Sequence, residues 1–221
     1  RLRWSLSHRF FHRISQDYLK FLVPENQRIL SFGCGNGETL SALSPAFGLG
    51  IDLDTIALKV AQKKFPRLQF LQGDMEDAKF IEQITQDAPF DVILLEGSLG
   101  YLDDIQACLA RLRKFCNEDT RLVIISYGYL WEPFLRFAEK LRLRKPSFNG
   151  TWLRMSDVEN FMTLAGFEII KQDWRVLLPF RLLGLGNLVN RYVAPLPWIR
   201  RLALCHYLVA RKESAPWSGE A

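Results

Sequence analysis

From about position 28 to 126, short apolar runs rich in Val, Ile, Leu and Phe alternate with stretches whose apolar residues recur at helical spacing. That alternation predicts βα units stacked into a parallel sheet. Strands are expected at Arg28–Phe32, Leu49–Leu53, Leu68–Leu71, Phe90–Leu95 and Arg121–Ser126. Between the last two, Ile105, Cys108, Leu109, Leu112 and Phe115 form one helical face and leave Arg111, Arg113 and Lys114 for solvent. That helix packs a single face on the sheet.

The second half reads differently. Trp131, Phe134, Leu135, Ala138 and Leu141 fit one face of a helix. Ser156-x-x-Glu159 ahead of Phe161, Met162 and Ala165, with Gly166 following, reads as a capping box and a glycine stop. Phe167–Leu178 and Leu202–Arg211 read as two further strands, separated by Pro179–Arg201. An insertion of that length and composition is expected to be helical, with an apolar face in need of a partner. Ahead of the first strand, Trp4, Phe11, Ile14 and Tyr18 give residues 1–27 an amphipathic helical pattern. With no internal repeat and no linker, 1–221 reads as a single domain: a core over 28–126, and a half over 127–221 that contains the insertion 179–201.

Composition narrows the class only modestly. The chain has 221 residues, 48% of them hydrophobic, with formal net charge +5, enough to bury a full core. Cys34, Cys108, Cys116 and Cys205 are scattered, without a CxxC pair or a histidine at finger spacing, so neither a zinc knuckle nor a disulfide framework is indicated. A reducing cytoplasm fits them best. No uncharged run approaches the roughly 18 to 20 residues that cross a bilayer, so contact with a membrane, if made, is peripheral. The basic residues form no dense aromatic-basic stripe, which argues against nucleic acid as a partner.

The chemistry begins at Ser31-Phe32-Gly33-Cys34-Gly35-Asn36-Gly37, where a buried strand passes into a helix through alternate glycines. Glycine there permits positive φ and lets a ligand approach the backbone at the positive end of the next helix. A dinucleotide-binding turn would place a third glycine at 38, but Glu38 stands there, and a carboxylate sits badly beside a pyrophosphate.

Gly33-x-Gly35-x-Gly37 followed by Gly50-Ile51-Asp52-Leu53-Asp54 resembles the first two motifs of the class I (Rossmann-like) S-adenosylmethionine-dependent methyltransferases. Gln72-Gly73-Asp74-Met75-Glu76-Asp77 is similar to their third motif, and Phe90 through Ser98 to their fourth. The resemblance implies an α/β fold with a doubly wound, seven-stranded, mostly parallel sheet whose last strand is antiparallel. It implies S-adenosylmethionine as cofactor and S-adenosylhomocysteine as product. Ser31, Gly33, Cys34, Gly35 and Gly37 would line the methionine and ribose portions, Asp52 with Leu53 the ribose, and Asp74 with Met75 the adenine. Glu96 and Gly97 would flank the transferable methyl. The family usually carries Asp or Glu where Ser31 stands, so this grip lacks a charge. Asp54 is better explained as a helix N-cap. In related enzymes an N-terminal helix often closes over the cofactor, which makes 1–27 a lid.

Trp131-Glu132-Pro133, Asn149 through Ser156, Leu164 through Glu168 and the stretch from Leu177 to Arg191 are similar to a bacterial subgroup found beside or fused to glycosyltransferase-like domains. The acceptor is accordingly expected to be a small molecule, a glycan or a lipid-linked intermediate, handled by a monomer or homodimer. Tyr101, Tyr127, Trp131 and Trp152 are candidates to line its pocket at the carboxyl ends of the fourth and fifth strands, although core packing explains each equally well. The insertion reads as a substrate cap ahead of a dimer contact or a membrane-surface helix.

A hydroxyl acceptor would need a general base, for which Glu96, Tyr101, His8 and His12 are candidates. His8 and His12 lie one helical turn apart but lack a third ligand, so solvated surface is the better reading. His206, inside an apolar strand, reads as structural. Two other classes compete: an NAD-binding oxidoreductase, against which Glu38 argues, and a non-catalytic or membrane-associated binding module, motivated by Ser31 and the basic, apolar tail.

Overall fold

A computed structural model describes residues 2–140, 150–177, 188–193, 196, 198–199 and 202–213. Seven strands form one sheet: β1 Arg28–Phe32, β2 Phe47–Asp52, β3 Gln69–Gln72, β4 Val92–Glu96, β5 Arg121–Tyr127, β6 Phe167–Arg175 and β7 Cys205–Lys212. Their order is β3-β2-β1-β4-β5-β7-β6. Pairing is parallel from β3 through β5, and β7 runs antiparallel between β5 and β6. The chain therefore reverses direction across the sheet between β1 and β4, the place where ligands collect in doubly wound folds.

Helices cover both faces. The helices α4 Ala78–Ile84, α5 Ile105–Leu112 and α7 Met155–Leu164 bury Ile81, Ile84, Cys108, Leu109, Leu112, Val158 and Met162 against one side. On the other side lie α1 Leu2–Leu22, α2 Glu38–Ala42 and α3 Thr55–Lys64, through Leu19, Leu22, Leu40, Leu58 and Ala61. Because both faces are covered, β1, β4 and β5 read as near-continuous apolar runs rather than alternating ones. Register is pinned at the base of the sheet: the Asp91 carboxylate accepts from the Arg28 amide at 2.7 Å, and the Asp91 amide donates back to the Arg28 carbonyl at 2.9 Å.

Most expected elements are present with ends displaced by a few residues. β2 starts two residues early and stops at Asp52, leaving Leu53 outside the strand and 63% exposed. β4 begins at Val92 rather than Phe90, whose amide is instead held by the Phe115 carbonyl. β6 stops at Arg175 because Val176 takes a left-handed φ of 62° and its carbonyl accepts from Leu204. β7 begins at Cys205, three residues later than expected.

The expected capping box at Ser156 and Glu159 is not formed. α7 starts at Met155, and the carboxylate of Asp157 accepts from the Arg154 amide at 3.1 Å. The box lies two residues earlier than expected, because Asp157 reaches the free amide that Glu159, half a turn further on, does not. The glycine stop is present: Gly166 has φ 76° directly after the helix. A helix α6 spans Glu132–Lys140, and Phe134 and Phe137 on it are exposed at 69% and 62%, so the sheet does not cover these two. Most of the insertion 179–201 lies outside the described residues; within it, Val189–Val193 forms a short π-helical turn whose buried Asn190 accepts from the Leu177 amide at 2.8 Å.

Candidate functional site

The site assembles where β1, β2 and β4 end. β1 is buried through Phe32 and then needs a turn that brings backbone, not side chains, to the sheet's carboxyl edge. Gly33, Gly35 and Gly37 supply it with φ of 71°, 53° and 74°, all left-handed. A side chain on Gly33 would press on the Glu96 carbonyl at 3.2 Å, and one on Gly37 would collide with the Phe70 ring at 2.7 Å. The loop is moored to β2: Gly33 and Cys34 amides both donate to the Ile51 carbonyl, at 2.9 and 3.1 Å.

Asp52 completes that mooring. One carboxylate oxygen accepts from the Gly35 amide at 2.7 Å and the other from the Asp54 amide at 2.8 Å. Each oxygen keeps a further lone pair for a ligand donor. Asp54 is the N-cap of α3, accepting from Ile56 and Ala57 at 2.8 and 3.1 Å, as its position in the sequence implied. Asp74, after β3, accepts from the Glu76 amide at 2.9 Å, while Met75 is buried among the core side chains of α4 and α5. Glu76, which sequence reasoning did not single out, accepts from the amides of Asp103 and Asp104 and so positions the entry to α5.

Glu96 ends β4 beside the loop. Burial pushes its carboxyl above the usual carboxylate range, against a hydrogen bond from Thr39 that favours the ionised form. The same enclosure acts on Cys34, whose thiol is pushed up to about 12 by burial, with the charges of Asp52 and Glu96 adding to it. Next to Glu96, Gly97 takes φ 63° and its amide donates to the Ile125 carbonyl. Ser31, 1% exposed, and Ser98 each bury a hydroxyl oxygen that has no hydrogen-bond partner among the described residues. A buried orphan hydroxyl costs about 1–3 kcal/mol, so two of them flanking one glycine loop point to polar groups of a ligand. Ser98 and Thr39 were missed in the sequence because nothing in their local pattern says that they face the loop.

This donor set suits one kind of ligand. Asp52, Asp74 and Glu96 make the rim acidic, favourable to a cation such as a sulfonium and unfavourable to a pyrophosphate. Glu38 itself is engaged by Lys64 at 2.7 Å. Lys64 holds its carboxyl below the usual range, with a smaller contribution from His12, which brings α1 close to the start of α2. His8 sits on the α1 backbone, but its side chain lies outside the described residues.

A cavity opens at the ends of β4 and β5, lined by Gly97, Leu99, Gly100, Ile125, Ser126, Tyr127, Thr151, Trp152 and Leu153. It thus shares Gly97 with the loop side. Of the four aromatic candidates, Tyr127 and Trp152 line this cavity; Tyr101 is half exposed outside it, and Trp131 donates its indole N–H to the Leu202 carbonyl at 2.7 Å. His206, opposite Ser126 in the β5–β7 register, is buried, and that burial pushes its imidazole down to about 4.

α1 is anchored by its second half. The Ser15 and Tyr207 hydroxyls are 2.7 Å apart and buried, Tyr18 donates to the Asp173 carboxylate, and Arg175 pairs with Asp173 at 3.0 Å while its guanidinium lies 4.5 Å over the Tyr18 ring.

Residues 30–122 match the model of a family described as "Methyltransferase domain". Among curated proteins, the chain is 30% identical over 176 residues to phthiotriol/phenolphthiotriol dimycocerosates methyltransferase 1 of Mycobacterium ulcerans, covering 76% of this chain and 60% of that protein. It is 26% identical over 122 residues to the dTDP-3-amino-3,4,6-trideoxy-alpha-D-glucopyranose N,N-dimethyltransferase of Streptomyces venezuelae, covering 53% and 49%. The chain thus spans about half to three fifths of the length of these relatives. In fold it is similar to a SAM-dependent methyltransferase from Thermotoga maritima, with TM-score 0.69, 19% identity, and 96% and 93% of the two chains covered. The magnesium protoporphyrin IX methyltransferase of Synechocystis PCC 6803, crystallised with S-adenosylhomocysteine, gives TM-score 0.62 at 14% identity over 94% and 86%.

Proposed function

We propose that this chain is a class I (Rossmann-like) S-adenosylmethionine-dependent methyltransferase that transfers a methyl group to a small, glycan or lipid-linked acceptor and releases S-adenosylhomocysteine, a reading supported by the family match over residues 30–122 and the similar fold. The observation that carries this reading is the Asp52 carboxylate clasping Gly35 at 2.7 Å beside an acidic rim and two buried, unpartnered serine hydroxyls. The named activities of the two curated relatives support an acceptor of the lipid or sugar-nucleotide kind.

In this reading Ser31, Gly33, Cys34, Gly35 and Gly37 hold the methionine end of the donor, Asp52 and Leu53 the ribose, and Asp74 with Met75 the adenine. S-adenosylmethionine supplies an already activated methyl, so the protein provides no nucleophile. Its work is alignment and exclusion of water. Gly97 stands between loop and cavity, and its lack of a side chain keeps the line from donor to acceptor open. Tyr127, Thr151 and Trp152 wall the acceptor. If the acceptor is a hydroxyl, Glu96 takes its proton; burial gives that carboxyl a raised proton affinity suited to the task. Tyr101, turned to solvent, is the weaker candidate. The segment 1–27, with α1, acts as the lid, and the protein works in the cytoplasm as a monomer or homodimer, on no nucleic acid.

Calorimetry tests the donor. S-adenosylhomocysteine is expected to bind and NAD not to; absence of S-adenosylhomocysteine binding overturns the reading. Methyl transfer from labelled donor to a lipid diol, an amino-sugar nucleotide and a simple catechol then sorts the acceptor class.

A further inference from the structure

Beyond Tyr127, at the rim of the acceptor cavity, the chain leaves a band of apolar side chains in solvent. Tyr129 and Leu130 are over a third exposed, Phe134 and Phe137 on α6 about two thirds, and Trp198 91%. Trp131 links the two parts of this band: its ring is 6.0 Å from Phe134, and its indole donates to Leu202, whose amide is turned back onto Ile199 beside Trp198. A tryptophan so exposed is unusual on a monomeric surface, where large apolar groups in contiguous patches mark a contact.

Charge says what the contact is. Arg154 lies 5.3 Å over the Tyr129 ring and Lys140 is exposed at the end of α6, while Arg136 is paired with Glu132 at 2.7 Å. In the sequence, residues 140–155 hold five basic side chains and no acid, and residues 176–210 hold four arginines and no acid. The core between positions 28 and 126 is by contrast net acidic. A twofold contact between copies of such a face would bring like charges together. Exposed aromatic side chains beside Arg154 and Lys140, with the acid-free basic stretch 140–155 following them in the sequence, suit an anionic bilayer surface, where rings sit at the headgroup level and cations meet lipid phosphate.

We propose that the face formed by Tyr129, Leu130, Phe134, Phe137 and Trp198 seats this protein on anionic lipid membranes, with the acceptor cavity opening at its edge. The inference rests on the lipid-linked reading of the acceptor. Arg154 joins face and cavity, since it follows the cavity residues Thr151, Trp152 and Leu153 and covers Tyr129. An acceptor with its head in the cavity would keep its acyl chains in the bilayer.

The test is co-sedimentation of the full chain with vesicles of phosphatidylcholine alone and of phosphatidylcholine with about one third phosphatidylglycerol. Binding at least tenfold tighter to the anionic vesicles, weakened by added salt, is expected. The triple variant Phe134→Ser, Phe137→Ser, Trp198→Ser is expected to lose tenfold or more of that binding while its melting temperature and S-adenosylhomocysteine affinity stay unchanged. Equal partition of variant and wild type overturns the proposal, as does no binding to anionic vesicles. Concentration-dependent dimerisation abolished by the same substitutions, without vesicle binding, overturns it in favour of a second copy. Should S-adenosylhomocysteine fail to bind while anionic vesicles still do, the donor reading fails and the membrane face stands.

Discussion

Asp52 and Gly35 are separated by 17 positions in the chain and joined by a 2.7 Å hydrogen bond from the Gly35 amide to the Asp52 carboxylate. The contact fixes the glycine loop on the end of β2. It also orients the carboxylate that faces a ribose in the proposed complex.

Asp52→Ala is therefore expected to weaken S-adenosylhomocysteine binding tenfold or more, about 1.4 kcal/mol or above for a charge-assisted contact. Asp52→Asn keeps an acceptor for Gly35 and should lose less. Titration calorimetry reads both, and an unchanged affinity in the alanine variant removes Asp52 from the site.

Glu96 holds its proton more tightly in the folded protein than in the unfolded chain, because burial opposes its charge. Its ionisation therefore costs stability as pH rises above the unfolded value of about 4.3. Glu96→Gln removes that cost: melting temperature should rise at pH 7.5 and change little near pH 4. Methyl transfer to a hydroxyl acceptor should fall in the same variant. A melting temperature unchanged at both pH values would show that Glu96 is not buried as charge.

His206 shifts the other way, down to about 4 from an ordinary value of 6.5. The folded state resists protonation, so stability present above pH 6.5 is lost as pH falls toward 4, by up to about 3 kcal/mol. Urea melts at pH 7.5 and 4.5 should show a loss that His206→Phe largely abolishes. Equal losses in both proteins would place the acid sensitivity elsewhere.

The Ser15 and Tyr207 hydroxyls, 2.7 Å apart and buried, tie α1 to β7. Ser15→Ala and Tyr207→Phe should each cost about 1–2 kcal/mol, and the double variant less than their sum. Chemical denaturation of the four proteins measures the coupling; strict additivity would mean the two groups stand apart in solution.

Local sequence determined a good deal. The apolar runs placed β1, β2, β4, β5 and β7 within a few residues, because covered strands must be apolar whatever their neighbours. Gly33, Gly35 and Gly37 announced a turn, since few other residues tolerate left-handed φ, and Asp54 announced a helix start. Asp52 and Glu96 stand where the resembled family motifs place cofactor-binding residues. Three features were decided only by tertiary structure. The cap of α7 fell to Asp157 rather than Glu159, because helix phase is set by packing on α5 and β6 as well as by the local pattern. Ser98 and Thr39 joined the site only through strands and helices distant in sequence. Trp131 and Phe134 share a helical face in the sequence, yet Phe134 stands in solvent. Periodicity tells which side chains share a face; only the assembled fold tells whether anything covers it.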